Sequence, residues 1–333
     1  MNSLTARRDF LRAGLFAAAA GSLPPGQAAE VVGGPRFNRS FALDGNRVRL
    51  TCPQVERPFT LMVVADTHLF RDDDRGEPFR QFSGRMAKAY NQTKHFQTGE
   101  PTNPEKGFVG ALRAAETAKA EQLALVGDLV SFPSEAAVEW VRGQLKECGL
   151  PWLYTAGNHD WHYEGMTGSL AELRTEWISR RLAPLYHGAD PMMSAKDLHG
   201  VRLLMLDNST YEVSPAQLTF FREQVLSGKP LVLFVHIPLY APGRPLGFGC
   251  GHPDWGAHSD RGFELERRVK WREGGHTEST LAFHREVFAA GNLLGVFAGH
   301  THRASVDVVN GVPQCVTDAN ATGAFLLLDF VAA

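Results

Sequence analysis

Phe59-Thr60-Leu61-Met62-Val63-Val64-Ala65-Asp66-Thr67-His68 is the stretch from which the rest of the chain can be read. An almost unbroken apolar run ends in a carboxylate and an imidazole two residues apart. Such a run reads as a strand buried on both faces, as in a parallel sheet covered by helices. The Asp-x-His pair falls where that strand would leave the sheet. Four later segments repeat the arrangement. Apolar runs lead into Gly127-Asp128, into Gly157-Asn158-His159-Asp160, into His236, and into Gly299-His300-Thr301-His302.

Working outward, strands are expected at 60–65, 122–126, 152–156, 201–206, 230–235 and 293–298. Two closing strands are expected at 312–316 and 325–328. Helices alternate with them, which makes the chain α/β. Ser134 caps a helix running through Glu147, with Gly149 to end it. Ser214-Pro215-Ala216-Gln217 joins a capping Ser, a Pro at the first position and a Gln three residues after the cap. A third helix is expected from Thr280 to Ala290, before Gly291. Asp44-Gly45-Asn46 reads as a hairpin turn in a lead-in at 30–58. Two segments break the alternation, near 70–106 and 240–277. Long irregular segments in a compact domain are usually functional or disordered. Both follow motif-bearing strands, so they are expected to wall or cover the site, with surface decoration as the alternative.

The 333 residues are 44% hydrophobic and 21% charged, with a net charge of -2. One domain over 59–333 can bury a large core. The charge balance argues against a nucleic-acid binder. The first 29 residues differ from the rest. Arg7-Arg8-Asp9-Phe10-Leu11-Arg12 precedes a small-residue apolar stretch at 13–21 and a small-residue region at 26–29. This is the layout of an export signal, and the paired arginines followed by Phe-Leu resemble the twin-arginine type. The expected partner is the twin-arginine machinery, which exports folded proteins, and the expected location is periplasmic or secreted. The stretch is too short for a stable membrane span, although an uncleaved anchor or a basic amphipathic helix would have the same composition. No span is expected in the mature chain.

Cys52, Cys148, Cys250 and Cys315 form no C-x-x-C pair, which argues against a zinc knot. Cys148 continues the apolar face of Val138, Val141 and Leu145 and is expected as a buried thiol. Cys250, in a Gly-rich loop, is the one expected to be bridged or exposed.

The motifs carry the chemistry. Ligands of open α/β sheets gather beyond the carboxyl ends of the strands. The Asp-x-His and His-x-His spacings are expected to place both side chains on one side of an extended segment. Gly127, Gly157 and Gly299 allow sharp turns and close approach. Oxygen and imidazole donors without thiolate suit Mn, Fe, Zn, Co or Ni. Asp-x-His or Gly-Asp alone says little, and His236 alone would read as a core histidine; all five in order at strand ends are specific.

Together the five motifs resemble the calcineurin-like metallophosphoesterases, over residues 59–330. The resemblance implies a four-layer α/β/β/α sandwich of two mixed β-sheets flanked by helices, with a dinuclear metal site at one edge. It implies that Asp66, His68 and His302 hold one divalent or trivalent transition-metal ion. Asn158, His236 and His300 would hold a second, with Asp128 bridging. It implies hydrolysis of a small phosphate ester, monoester or diester, by in-line attack of a metal-bridging hydroxide. His159 would assist catalytically and Asp160 would orient it. Ser131 stands where purple acid phosphatases carry an iron-binding tyrosine, so no tyrosinate colour is expected. His95, His252, His258, Arg303, Trp255 and Trp271 are weaker substrate-contact candidates. A non-catalytic metal-binding or surface interaction module on the same fold is the alternative reading.

Overall fold

The structure is a computed structural model that describes residues 35–84, 92–256 and 274–333. The export-type segment, His258 and Trp271 lie outside the described residues. Two six-stranded mixed sheets face each other. The first contains β1 (Ser40–Asp44), β2 (Arg47–Thr51), β3 (Phe59–Val64), β6 (Gln122–Val126), β7 (Trp152–Thr155) and β14 (Leu326–Val331), in the order β1-β2-β14-β3-β6-β7. The second contains β8 (Met193–Leu198), β9 (Val201–Leu206), β10 (Leu231–Phe234), β11 (Leu293–Ala298), β12 (Ser305–Val309) and β13 (Val312–Val316), in the order β12-β13-β11-β10-β9-β8. Strands β3, β6 and β7 run parallel, as do β9, β10 and β11. A small hairpin of β4 (Thr93–Lys94) and β5 (Pro101–Thr102) lies in the first long insertion.

The apolar runs are unbroken because both faces of each central strand are covered. Leu61 and Val63 of β3 join Val232, Phe234 and Phe297 between the sheets. Met62 and Val64 point the other way, against Phe108, Val141 and Leu145 of the outer helices. On the far side, Leu231 and Leu233 pack against Phe221 and Phe283. Each such Leu or Val contributes about 1.5–3 kcal/mol by leaving water. The result is the expected α/β/β/α sandwich.

The outer helices of the first sheet are α2 (Pro104–Thr117) and α3 (Glu135–Cys148), with α4 (Leu170–Trp177) and α5 (Ala183–Tyr186) joined through a π turn. Before them, α1 (Arg80–Ser83) lies in the first insertion; the second sheet carries α6 (Pro215–Leu226) and α7 (Glu278–Val287). Ser134 caps α3 and Gly149, at φ 73, ends it. α6 opens with a complete capping box from Ser214 and Gln217. Gly45, at φ 59, forms the expected hairpin turn between β1 and β2.

Several expectations need correction. α2 begins inside the 70–106 insertion, because Asn103 caps it and Pro104 occupies its first turn. α7 begins at Glu278 rather than Thr280, because the Thr277 hydroxyl accepts from the Thr280 N–H. The edge strands β8 and β12 were not expected; both alternate between partly buried and exposed residues and lack an apolar run. All four cysteines are free. Cys250 is fully buried and accepts a hydrogen bond from Asn208 at 3.4 Å, so it is neither bridged nor exposed. Cys148 is only partly buried, packed at the edge of the helix core. No helix among the described residues is long and apolar enough to cross a membrane.

Candidate metal centre

The turns after β3, β6, β7, β10 and β11 converge at one edge of the sandwich. Two clusters of ligand-type atoms form there: Asp66, His68 and His302, and Asp128, His236 and His300. Each cluster takes residues from both sheets. Asp128 Oδ2 faces both, 3.1 Å from His236 Nε2 and 3.8 Å from His68 Nε2. His302 Nε2 lies 3.3 Å from Asp66 Oδ1 and 2.8 Å from His68 Nε2. Asn158 is buried on the turn beside Asp128, whose Oδ1 accepts the His159 N–H at 2.8 Å. Asp66, His68, Asp128 and His236 are fully or almost fully buried, whereas His159, His300 and His302 are partly exposed. The mouth of the site is therefore on the side of His159, His300 and His302.

The backbone is unusual at these positions. Asp66, His68, Asp128, His300 and His302 all have φ between 49 and 71. Left-handed backbone costs a non-glycine residue about 1–2 kcal/mol, and clusters of it mark functional sites. This corrects one expectation: each x-separated pair reaches one side through two left-handed residues, not through extended strand. The fold holds these turns with backbone bonds. Asp66 N–H donates to Gly127 O, His68 N–H to Asp128 O, and His300 N–H to the Asp66 carboxylate at 2.8 Å. Gly157 and Gly299 matter for space rather than for φ. A Cβ at Gly157 would stand 2.1 Å from Asp128 Oδ1, and one at Gly299 would stand 2.3 Å from Asp66 Oδ2.

Asp160 and several side chains that sequence reasoning missed complete the frame. Asp160 gives Oδ1 to the Val130 N–H (2.9 Å) and Oδ2 to the Gly157 N–H (2.8 Å). It thereby ties two motif turns together. Asn208 bonds both the N–H and the C=O of Ile237, and Gln314 does the same for Leu239. These amides extend the pairing of β10 past its end and fix the segment that carries His236. Ser131 donates to the His68 carbonyl at 2.9 Å. Tyr211 places its hydroxyl 2.5 Å from His300 Nε2. An isolated amide or phenol in a sequence carries no signal of such pairings. Both insertions touch the motif side: Phe96 donates to Thr322 beside the Asp66 turn, and Trp255 stacks on Tyr211. His252 packs on Tyr240, and Arg303 is exposed.

The electrostatics fit a cation-binding site. Burial, then the neighbouring His302, drives the His68 imidazole well below its ordinary range; burial and His236 do the same to His300. Burial would raise the Asp128 carboxyl, but His236 and His159 hold it well below the carboxylate range. The same carboxylate overcomes burial to push His236 up to about 10. Burial, then the Asp128 charge, pushes Asp160 up to about 7. The His68 and His302 Nε2 atoms, 2.8 Å apart, need a proton or a cation between them to relieve their lone pairs. The His236 Nδ1 lies 2.9 Å from the Val126 carbonyl, which fixes that nitrogen as the donor and leaves Nε2 toward Asp128. The donor set and its convergence fit transition-metal ions.

The sequence profile of the calcineurin-like phosphoesterases matches residues 59–304. No curated protein matches the chain. Among solved structures, a dimetal phosphatase from Danio rerio is 12% identical, with 81% of this chain and 91% of that one covered and a TM-score of 0.50. A purple acid phosphatase from yellow lupin (Lupinus luteus) seeds is also 12% identical, with 83% and 47% covered and a TM-score of 0.48. At such identities the first likeness shows shared fold alone, and the family rests on the profile and the motifs it spans. This chain belongs to the calcineurin-like phosphoesterase family, whose enzymes depend on a dinuclear metal centre.

Proposed function

We propose that the protein hydrolyses a small phosphate ester at a dinuclear centre built from the two clusters. Asp66, His68 and His302 hold one ion, Asn158, His236 and His300 the other, and Asp128 joins them. The observation that carries this reading is the position of Asp128 Oδ2, within 4 Å of imidazoles from both clusters. When bound, the ions supply Lewis-acid stabilisation of phosphoryl oxygens and a water acidified toward neutral pH. The chain's own residues do the rest. Asp66 and Asp128 bring the negative charge that retains two cations, and their burial keeps water from screening it. His159, partly exposed at the rim and 5.1 Å from His68 between ring centroids, faces the mouth. We assign it to the departing oxygen or the phosphoryl charge, a role worth about 10²–10⁴-fold.

Hydrolysis of aryl phosphate mono- and diesters, measured after chelation and re-addition of Mn, Fe, Zn, Co or Ni, tests the reading. Turnover that returns with metal supports it; two ions bound with no hydrolysis of either ester class contradicts it. The ratio of the two rates assigns monoester or diester preference. We further propose that residues 1–29 direct folded export by the twin-arginine route. Replacing Arg7 and Arg8 by Lys should hold the protein in the cytoplasm; unchanged export would remove the proposal.

A further inference from the structure

The two imidazoles of the second cluster are oriented in different ways. His236 is fixed through the Val126 carbonyl, a backbone atom of β6. His300 is fixed by a side chain from a different loop, the Tyr211 hydroxyl at 2.5 Å from Nε2. With Nε2 engaged, Nδ1 is the ring atom left with a lone pair for an ion.

Tyr211 is itself held firmly. It is 1% exposed and sits at φ 61, a backbone state an aromatic residue adopts only under constraint. Its N–H donates to Asn208 O at 2.8 Å. Its ring stands edge-on to His300, with centroids 5.4 Å apart at 80°. Its other side stacks on Trp255 at 4.8 Å, and Trp255 stacks on His276 at 5.1 Å. His276 Nδ1 returns to the chain neighbour of Tyr211, lying 3.4 Å from Glu212 Oε1. The stack Tyr211–Trp255–His276 thus closes on itself and ties the second long insertion to a proposed ligand.

We propose that Tyr211 is a positioning residue for the second metal ion: its phenol oxygen accepts from His300 Nε2–H, fixing the tautomer and ring plane that present Nδ1. This rests on the dinuclear reading above. Partners of the far ring nitrogen of a metal-bound histidine typically change metal affinity by about 10–100-fold. The hydroxyl of Tyr211 engages His300 of the second cluster, so the affinity of the first ion should be unaffected.

The test is titration of metal-free full-length protein with Co(II), followed by visible absorption and by competition with a chelator, for wild type and Tyr211→Phe. Phe keeps the ring and its stack and removes only the hydroxyl. The expected result is two ions per wild-type chain, and in Tyr211→Phe an unchanged first affinity with the second weakened about 10-fold or more. The Co(II) absorption of the second ion should shift as well. Two ions bound by Tyr211→Phe with wild-type affinities and spectrum would overturn the proposal alone. Wild type that binds one ion or none would overturn the dinuclear reading, and the proposal with it.

Discussion

The two clusters of ligand-type side chains sit side by side at one edge of the sandwich and are organised differently. In the first, Asp66, His68 and His302 all lie on left-handed backbone, and the turns are locked by main-chain bonds such as His68 N–H to Asp128 O. In the second, His236 follows a regular strand and its ring is fixed by a hydrogen bond from its far nitrogen, as is that of His300. Left-handed backbone runs through all of the first cluster, whereas in the second, where His300 is left-handed too, His236 is not, and both rings are held by a hydrogen bond at the far nitrogen. Asp128 belongs to both schemes, since its own φ is 50 and its carboxylate reaches imidazoles on either side.

The largest effect should come from removing what the clusters share. Asp128→Asn should lose both ions together and lower kcat/KM by about 10³-fold or more, the scale of several kcal/mol of Lewis-acid stabilisation. Elemental analysis that still finds two ions per chain would break the bridging assignment. His159→Ala should leave both clusters loaded while kcat falls about 10²–10⁴-fold. Full turnover in that variant would remove His159 from the mechanism.

Gly299→Ala separates the clusters. Its Cβ would stand 2.3 Å from Asp66 Oδ2 and 2.6 Å from Ala65 Cβ, so Asp66 must shift. We expect about 1–3 kcal/mol of destabilisation by urea melting and weaker binding of the first ion before the second. The Tyr211→Phe variant should show the reverse order. Equal loss at both sites in either variant would argue that the clusters do not behave separately.

The smallest effect is expected far from both. Asp197 is held by Arg202 and Lys229; the Arg202 hydrogen bond, helped by that of Lys229, outweighs burial and keeps its carboxyl below the ordinary range. A depressed folded-state pKa means the contribution is complete above about pH 4 and fades as pH falls through the folded value. Asp197 is about half exposed, so Asp197→Asn should cost under about 1 kcal/mol at pH 7. The gap from wild type should narrow in acid, with metal content unchanged. A gap that widens in acid would reverse the sign.

These contrasts also explain what could be read before the structure. Strands buried on both faces announce themselves as apolar runs, so β3, β6, β7, β10 and β11, and the gathering of the motif residues at their ends, were legible. Capping residues such as Ser134 and Ser214 placed α3 and α6. The edge strands β8 and β12 were not legible, because residues such as Lys196 and Asp307 interrupt their apolar pattern. Left-handed φ at Asp66 or His300 is invisible because neither residue type announces it. Asp160, Asn208, Gln314 and Tyr211 act through partners 3 to 89 residues away, which spacing alone cannot encode. Cys250 misled because a Gly-rich segment suggested exposure, whereas this one folds back onto Leu239.

The most direct test of the central claim is a titration of chelated wild-type protein with one metal, following bound ions and aryl phosphate hydrolysis in the same samples. The two clusters predict two ions per chain and activity that rises mainly with the second equivalent. Full activity at one ion per chain, or two ions bound with no hydrolysis, would contradict it.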